Sequence, residues 1–239
     1  MICRIANFTV EFKNPSPAFQ KKFLEYAVDA VPQATFELTE EALKELQEKF
    51  NPPLDPYQLE GAFFYNSFID FVSTNDTLFF HACLIDVLGE GVAFTALSGT
   101  GKTTHMLLWQ RLLGDKIQII NGDKPIIRFD ENGIPYGYGA PWCGKENLGK
   151  NTRVPLKHIC FIERGENNSC EQITPEQALK MGIFNQFAIP RNQNGAVVTL
   201  GLIDRLLKNC SIWKISCNMD ISAAKVAYNT IFRSEENEA

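Results

Sequence analysis

With 239 residues, 45% of them hydrophobic and 21% charged, the chain is long enough to bury one sizeable core, or a core with a small subdomain. Low-complexity disorder is excluded by the same numbers. A formal charge of −5 and a pI near 5.3 argue against a broad nucleic-acid footprint, while leaving room for one basic pocket on an acidic body.

Residues 1–12 lack the long apolar stretch and small-residue cleavage site of a signal peptide. No apolar run approaches the roughly 20 residues that span a bilayer. Seven cysteines, at positions 3, 83, 143, 160, 170, 210 and 217, make no C-x-x-C pair and no cluster at zinc spacing, so they read as reduced thiols of a cytoplasmic protein.

Residues 1–75 read as an α+β lead-in packed on the core. Residues 3–12 alternate like a strand, and 19–31 suit a short helix. Thr39 caps a helix over 40–50, which Asn51-Pro52-Pro53 stops. Asp55-Pro56 opens a third helix over 57–72, where Leu59, Phe63, Phe64, Phe68 and Phe71 form a stripe suited to core packing.

From Leu78 the pattern changes to short strands. Residues 78–88 and 92–97 are separated only by Gly89-Glu90-Gly91, too short for a parallel crossover, so they form an antiparallel hairpin. With the turn centred on Glu90, paired numbers sum to about 180 and His81 falls across from Gly99. Beyond the next helix, 116–121 is a strand ending in Gly122-Asp123-Lys124-Pro125, and 126–129 with the turn Asp130-Glu131-Asn132-Gly133 suggests a second hairpin. Residues 158–163 read as a buried strand, 175–181 and 197–207 as helices, 211–217 as a last strand and 222–232 as a closing helix. The span 76–233 is thus the expected nucleotide-binding domain, and 234–239 a tail that frays.

The run Ala96-Leu97-Ser98-Gly99-Thr100-Gly101-Lys102-Thr103-Thr104 leaves a strand and enters a helix, and it reads as a phosphate-binding loop. Its glycines let the amides of residues 98–104 turn around phosphate oxygens. Lys102 adds a mobile cation, and the Thr103 hydroxyl reaches a Mg²⁺ ion shared with the nucleotide. The usual pattern is G-x-x-x-x-G-K-[ST]; its first glycine is here Ala96, which fits provided that position keeps a negative φ.

Asp123, at a strand end 21 residues beyond Lys102, is placed to meet the metal opposite Thr103. His81 is a candidate general base or neutral partner of the transferring group, although a strand-end histidine also serves structure. His105 and His158 have weaker cases, the first as a residue that caps or packs on the loop helix and the second as one that flanks a buried strand. The glycine- and aromatic-rich segment 136–145 suits a loop near a ligand, which makes Lys124, Lys145, Arg153 and Arg191 second-rank cations.

The hairpin from His81 into Ser98-Gly99-Thr100-Gly101-Lys102-Thr103, followed by Gly122-Asp123, resembles the catalytic domain of HPr kinase/phosphorylase. The string Leu97-Ser98-Gly99-Thr100-Gly101-Lys102-Thr103-Thr104 is also similar to the nucleotide loop of ATP-dependent phosphoenolpyruvate carboxykinase, a family of the same fold. The likeness covers residues 78–190 well and is nearest to short bacterial HPr-kinase-related proteins. It implies that His81 matches the histidine near the phosphate and Asp123 the second of two paired aspartates, with Gly122 in place of the first.

The expectation is therefore an α/β protein with a mixed, antiparallel-rich sheet around a carboxykinase-like phosphate loop. Ser98, Gly99, Thr100, Gly101, Lys102, Thr103 and Thr104 would bind ATP, Thr103 and Asp123 would hold Mg²⁺, and His81, Lys102 and Asp123 would carry transfer of the γ-phosphoryl group to a hydroxyl. The acceptor is a protein, a peptide or a small molecule, with neither nucleic acid nor membrane as partner, and a homo-oligomer remains open. The alternative is a module that senses nucleotide and transfers nothing.

Overall fold

The computed structural model describes residues 1–233, so the expected frayed tail lies outside the described residues. Residues 3–12 are not one strand but two, β1 (Ile2–Ile5) and β2 (Phe8–Lys13), paired antiparallel. Ala6 and Asn7 turn the chain with φ of 46° and 69°, the left-handed pair that a two-residue hairpin needs. Alternation that runs unbroken through so short a turn conceals it.

Helix α1 (Pro17–Phe23) starts at Ser16, whose hydroxyl accepts from the Phe19 amide. It is shorter than expected: a 3-10 turn follows over Leu24–Tyr26, and residues 27–31 are not helical. Strand β3 (Ala34–Glu37), unmarked in the sequence reading, joins β2 in parallel and completes a three-stranded sheet. Helix α2 (Glu40–Gln47) is capped by Thr39, and α3 (Pro56–Val72) by a reciprocal pair in which Asp55 accepts from Gln58 and Gln58 from Asp55.

The aromatic stripe of α3 closes onto this sheet. Phe12 makes edge contacts with Phe19, Phe23 and Phe64 at centroid distances of 5.4, 5.2 and 5.0 Å, the geometry that aromatic quadrupoles prefer. Phe79, Ile126, Tyr138 and Trp142 belong to the same cluster, so residues from both sides of position 75 share one core.

The larger sheet has nine strands. The span expected as one strand from Leu78 is broken into β4 (Thr77–Phe79) and β5 (Ala82–Val87), followed by β6 (Glu90–Thr95), helix α4 (Lys102–Leu113), β7 (Ile117–Asn121), β8 (Ile126–Phe129) and β9 (Pro135–Tyr138). Then come β10 (Arg153–Arg164), β11 (Ser169–Ile173), α5 (Pro175–Lys180), α6 (Gln193–Asn209), β12 (Ser211–Cys217) and α7 (Ile221–Arg233). The order is β4-β8-β9-β10-β6-β5-β7, with β12 also on β10 and β11 beyond it. The pairs β10–β6 and β10–β12 are parallel and the rest antiparallel. The fold is a mixed α/β one with mixed sheets.

Neighbouring residues of the central strands enter different cores, as the period of two requires. Leu84, Ala93 and Ile159 meet Leu202 and Leu206 of α6, whereas Ile85, Phe94 and Cys160 meet Met106 and Trp109 of α4 and Ala227 of α7. With both faces covered, function is left to the strand ends. Strand β5 runs antiparallel to both β6 and β7, so its start at Ala82 lies beside the ends of those two. Positions 81, 96–102 and 122–124 are thereby gathered at one edge.

The register differs from the expected one. Val87 pairs with Glu90 and Ala82 with Thr95, so the turn is Leu88-Gly89 and His81 faces the level of Ala96, not Gly99. Leu88 and Gly89 both take positive φ, 54° and 95°, which confines the turn to two residues.

Candidate functional site

Between β6 and α4 the chain makes a solvent-open loop. Ala96 is fully buried and keeps a negative φ, which is why alanine serves there. Gly99 and Gly101, with φ of 76° and 120°, sit in the left-handed region that a side chain would strain. Gly101 is the N-cap of α4 and offers no side chain to cap it. Among the described residues the Lys102, Thr103 and Thr104 amides have no acceptor, whereas the Thr100 amide is engaged by Leu97 O at 3.2 Å. An uncapped helix start with free amides and a partial positive charge is suited to an anion.

Arg164, at the end of β10, holds the loop from behind. Its Nη2 donates to Gly99 O at 2.7 Å and its Nε lies 3.5 Å from Thr100 O. Because a trans peptide sets C=O and N–H on opposite sides, this turns the Gly101 amide away from Arg164. Sequence reasoning missed Arg164, since only the parallel pairing of β10 with β6 brings it close.

His81 lies in the break between β4 and β5. Its amide donates to Gln186 O at 2.7 Å, and its Nδ1 stands 3.2 Å from Gln186 Oε1. A carbonyl oxygen only accepts, so in the neutral ring Nδ1 carries the proton and Nε2 presents its lone pair to Lys102 Nζ at 3.1 Å. Asp123 Oδ1 is 3.4 Å from the same Nε2, and Asp123 Oδ2 is 3.9 Å from Lys124 Nζ. The loop lysine, the strand-break histidine and the strand-end aspartate therefore meet around one nitrogen atom.

Asp123 is aimed by Asn121. The Asn121 Oδ1 accepts from the amides of Asp123 and Lys124 at 2.9 and 2.7 Å, while its Nδ2 donates to Ala140 O. Neither Asn121 nor Gln186 carried a signal in the sequence beyond being polar. Burial pushes the Asp123 carboxyl upward, but the hydrogen bond and charge that His81 supplies when protonated, together with the Lys124 and Lys102 charges, outweigh it and hold it below the usual carboxylate range. Burial lowers the Lys102 ammonium against the pull of Cys83 and Asp123.

Gly122 is packed against backbone. A Cβ there would stand 3.0 Å from Cys143 O and 3.1 Å from Leu148 O, and the Gly122 amide donates to Leu148 O at 2.8 Å. A second carboxylate beside Asp123 has no room unless residues 143–148 move. Cys83 underlies the same point: burial pushes its thiol up to about 12, and it donates to Gly122 O at 3.0 Å with Thr103 Oγ1 3.9 Å away.

Among the described residues no group of three or more His, Cys, Asp or Glu gathers around a common point. What the site offers is the Thr103 hydroxyl and the Asp123 carboxylate, on either side of Cys83 and Gly122. Two hard oxygen donors fit a Mg²⁺ ion that takes its remaining ligands from phosphate and water.

Of the second-rank cations, Lys124 and Lys145 line a cavity of about 850 Å³ that Asp123 also borders. Arg153 is engaged elsewhere, 4.7 Å from the Tyr136 ring centroid and 3.0 Å from the Tyr138 hydroxyl. The Arg191 backbone is tied to Asp70 of α3. Neither lines that cavity, and Arg191 lines a separate one with Asp70 and Ala42, a correction to the set of cations expected near the ligand. His105 and His158 are 2% and 3% exposed and serve packing, against Trp109 and Trp213. A smaller cavity, about 560 Å³, is lined by Leu97 to Thr100 and by Arg164 and Met181.

No protein-family model matches the chain, and no curated protein matches it. Among solved structures it is similar to the HPr(Ser) kinase/phosphatase from Coxiella burnetii, at 12% identity and a TM-score of 0.38, over 67% of this chain and 94% of that one. That is a distant structural similarity. No helix among the described residues is long and apolar enough to cross a membrane.

Proposed function

We propose that the chain binds the polyphosphate of ATP on the loop at residues 96–104 and transfers the γ-phosphoryl group to a hydroxyl. The observation that carries this reading is the convergence of Lys102 and Asp123 on His81 Nε2, at 3.1 and 3.4 Å, in front of an uncapped helix start. An anion site with a lysine at its mouth is common to many phosphate binders. One that also holds a carboxylate and an imidazole has the groups a hydroxyl acceptor needs.

In this reading the loop amides and Lys102 bind the phosphate oxygens and stabilise charge that develops on them. Thr103 and Asp123 hold Mg²⁺, whose charge offsets that of the β- and γ-phosphates. The acceptor oxygen forms its bond to the γ-phosphorus as the bond to the β–γ bridging oxygen breaks, leaving ADP and a phosphomonoester. The hydroxyl proton passes to His81 Nε2 or to Asp123, both within one hydrogen-bond length of Lys102 or its neighbour. Binding of phosphate would draw Lys102 off His81 and leave Nε2 available for that proton.

A second reading, nucleotide sensing without transfer, is favoured by one observation: the backbone of residues 143–148 fills the space a second carboxylate would need at Gly122. Thermal unfolding with millimolar ATP and Mg²⁺ tests what both readings share, since a ligand that binds only the folded state raises its midpoint. No rise would sink both. A rise without any phosphorylated acceptor would leave the sensing reading standing.

A further inference from the structure

The cavity of about 850 Å³ beside Asp123 is within the size range of small-molecule sites. It lies between α1, α3 and the segment at residues 142–147, with Phe23, Tyr65 and Trp142 in its walls. Trp142 is 8% exposed, and its indole N–H is buried without an acceptor.

Four lysines, Lys21, Lys22, Lys124 and Lys145, line this cavity against two carboxylates, Asp55 and Asp123. Both carboxylates are already engaged, Asp55 in capping α3 and Asp123 with His81 and Lys124. Among the described residues Lys21, Lys22 and Lys145 form no ion pair. Uncompensated positive charge over aromatic walls is complementary to an anion with an apolar body.

The cavity and the phosphate loop are joined through Asp123, which borders the one and reaches Lys102 of the other by way of His81. The loop has its own smaller cavity, by Arg164. We infer that the larger cavity is the acceptor pocket and that the acceptor is a small hydroxylated anion with an apolar or aromatic body, such as a hydroxycarboxylate. This rests on the phosphoryl-transfer reading. The acceptor hydroxyl attacks the γ-phosphorus, ADP leaves, and the lysines hold the acceptor's own anionic group.

Gly61 allows a clean test. It lies on α3 in the cavity wall, and a Cβ there would meet nothing within 4 Å. A Cβ can therefore be added without a clash, and in a helix interior it is favourable. Gly61→Phe fills the pocket, while Gly61→Ala leaves it open and controls for folding. The double variant Lys22→Gln with Lys145→Gln removes charge and keeps volume.

Cell extract is ultrafiltered, and the small molecules are divided on an anion exchanger before reaction. The retained, the unretained and the protein fractions are each incubated with the chain, Mg²⁺ and γ-labelled ATP. Binding of a fluorescent ATP analogue is measured alongside.

Label should appear in the retained small molecules. Gly61→Phe should lower it by blocking the pocket, and the lysine pair should lower it at least about tenfold, the loss of roughly one charged hydrogen bond, with Gly61→Ala at wild-type level and nucleotide affinity unchanged throughout. Label confined to protein or to unretained molecules would overturn the inference, as would equal labelling by Gly61→Phe or bound nucleotide with no label in any fraction. A wild-type chain that fails to bind the ATP analogue would instead overturn the phosphate-loop reading beneath it.

Discussion

Lys102 Nζ lies 3.1 Å from His81 Nε2, the nitrogen that leaves its lone pair exposed because Gln186 fixes the proton on Nδ1. A half-buried ammonium against an imidazole nitrogen is a cation with a replaceable partner. Lys102→Ala should cost the phosphates one charge-assisted hydrogen bond, about 1.5–3 kcal/mol, which is about a 10- to 100-fold loss of nucleotide affinity. Titration with a fluorescent ATP analogue measures it; an unchanged affinity would remove the lysine from the site.

Arg164 supports the loop from outside. Its hydrogen bond to Gly99 O is exposed and fixes no core packing. Arg164→Ala should therefore leave the nucleotide-free melting midpoint nearly unmoved and weaken nucleotide binding by about three- to tenfold, since the amides would have to be ordered by the ligand. A large fall in midpoint with intact affinity would make Arg164 a structural residue only.

Gly122 is held to glycine by the backbone atoms opposite it. Gly122→Asp should lower stability by about 1–3 kcal/mol, as overpacking commonly does, because the carbonyls of Cys143 and Leu148 would have to move. Urea unfolding gives the value. A variant as stable as wild type would show that residues 143–148 yield readily and that the single-carboxylate site is a matter of sequence, not of space.

How much of this could be read beforehand depended on how local each signal was. The loop at residues 96–104 is legible because its glycines, lysine and threonine are consecutive and their roles are set by backbone geometry within one turn. The antiparallel lead-in is legible from the brevity of the 89–91 connection, yet its register is not, since Leu88 takes a positive φ that no propensity marks. Ala6 and Asn7 hide a hairpin within continuous alternation. Arg164, Gln186 and Asn121 reach the site only through sheet order, a property of the whole chain. Arg153 and Arg191 have the right charge, but the fold sets Arg153 against Tyr136 and Tyr138 and Arg191 beside Asp70 of α3.

Stability should fall on acidification because of His105. Its Nε2 accepts from Trp109 Nε1 at 3.0 Å, and burial lowers its pKa from 6.5 to about 4. Between those values the unfolded chain binds a proton that the folded chain refuses, so stability rises with pH there. The contribution is complete above the unfolded value and is lost as pH falls toward the folded one, a change of about 3 kcal/mol at most. His105→Gln, which still offers an acceptor to Trp109, should flatten the melting midpoint between pH 4 and 6.5. An equal slope in both proteins would show that other groups govern it.

Transfer of labelled γ-phosphate from ATP, in the presence of Mg²⁺ and cell extract, tests the central claim most directly. Wild type should label an acceptor, His81→Ala should label it more slowly, and Lys102→Ala should not label it. Equal labelling by wild type and Lys102→Ala, or none by wild type under conditions where it binds ATP, would contradict the assignment of this site to phosphoryl transfer.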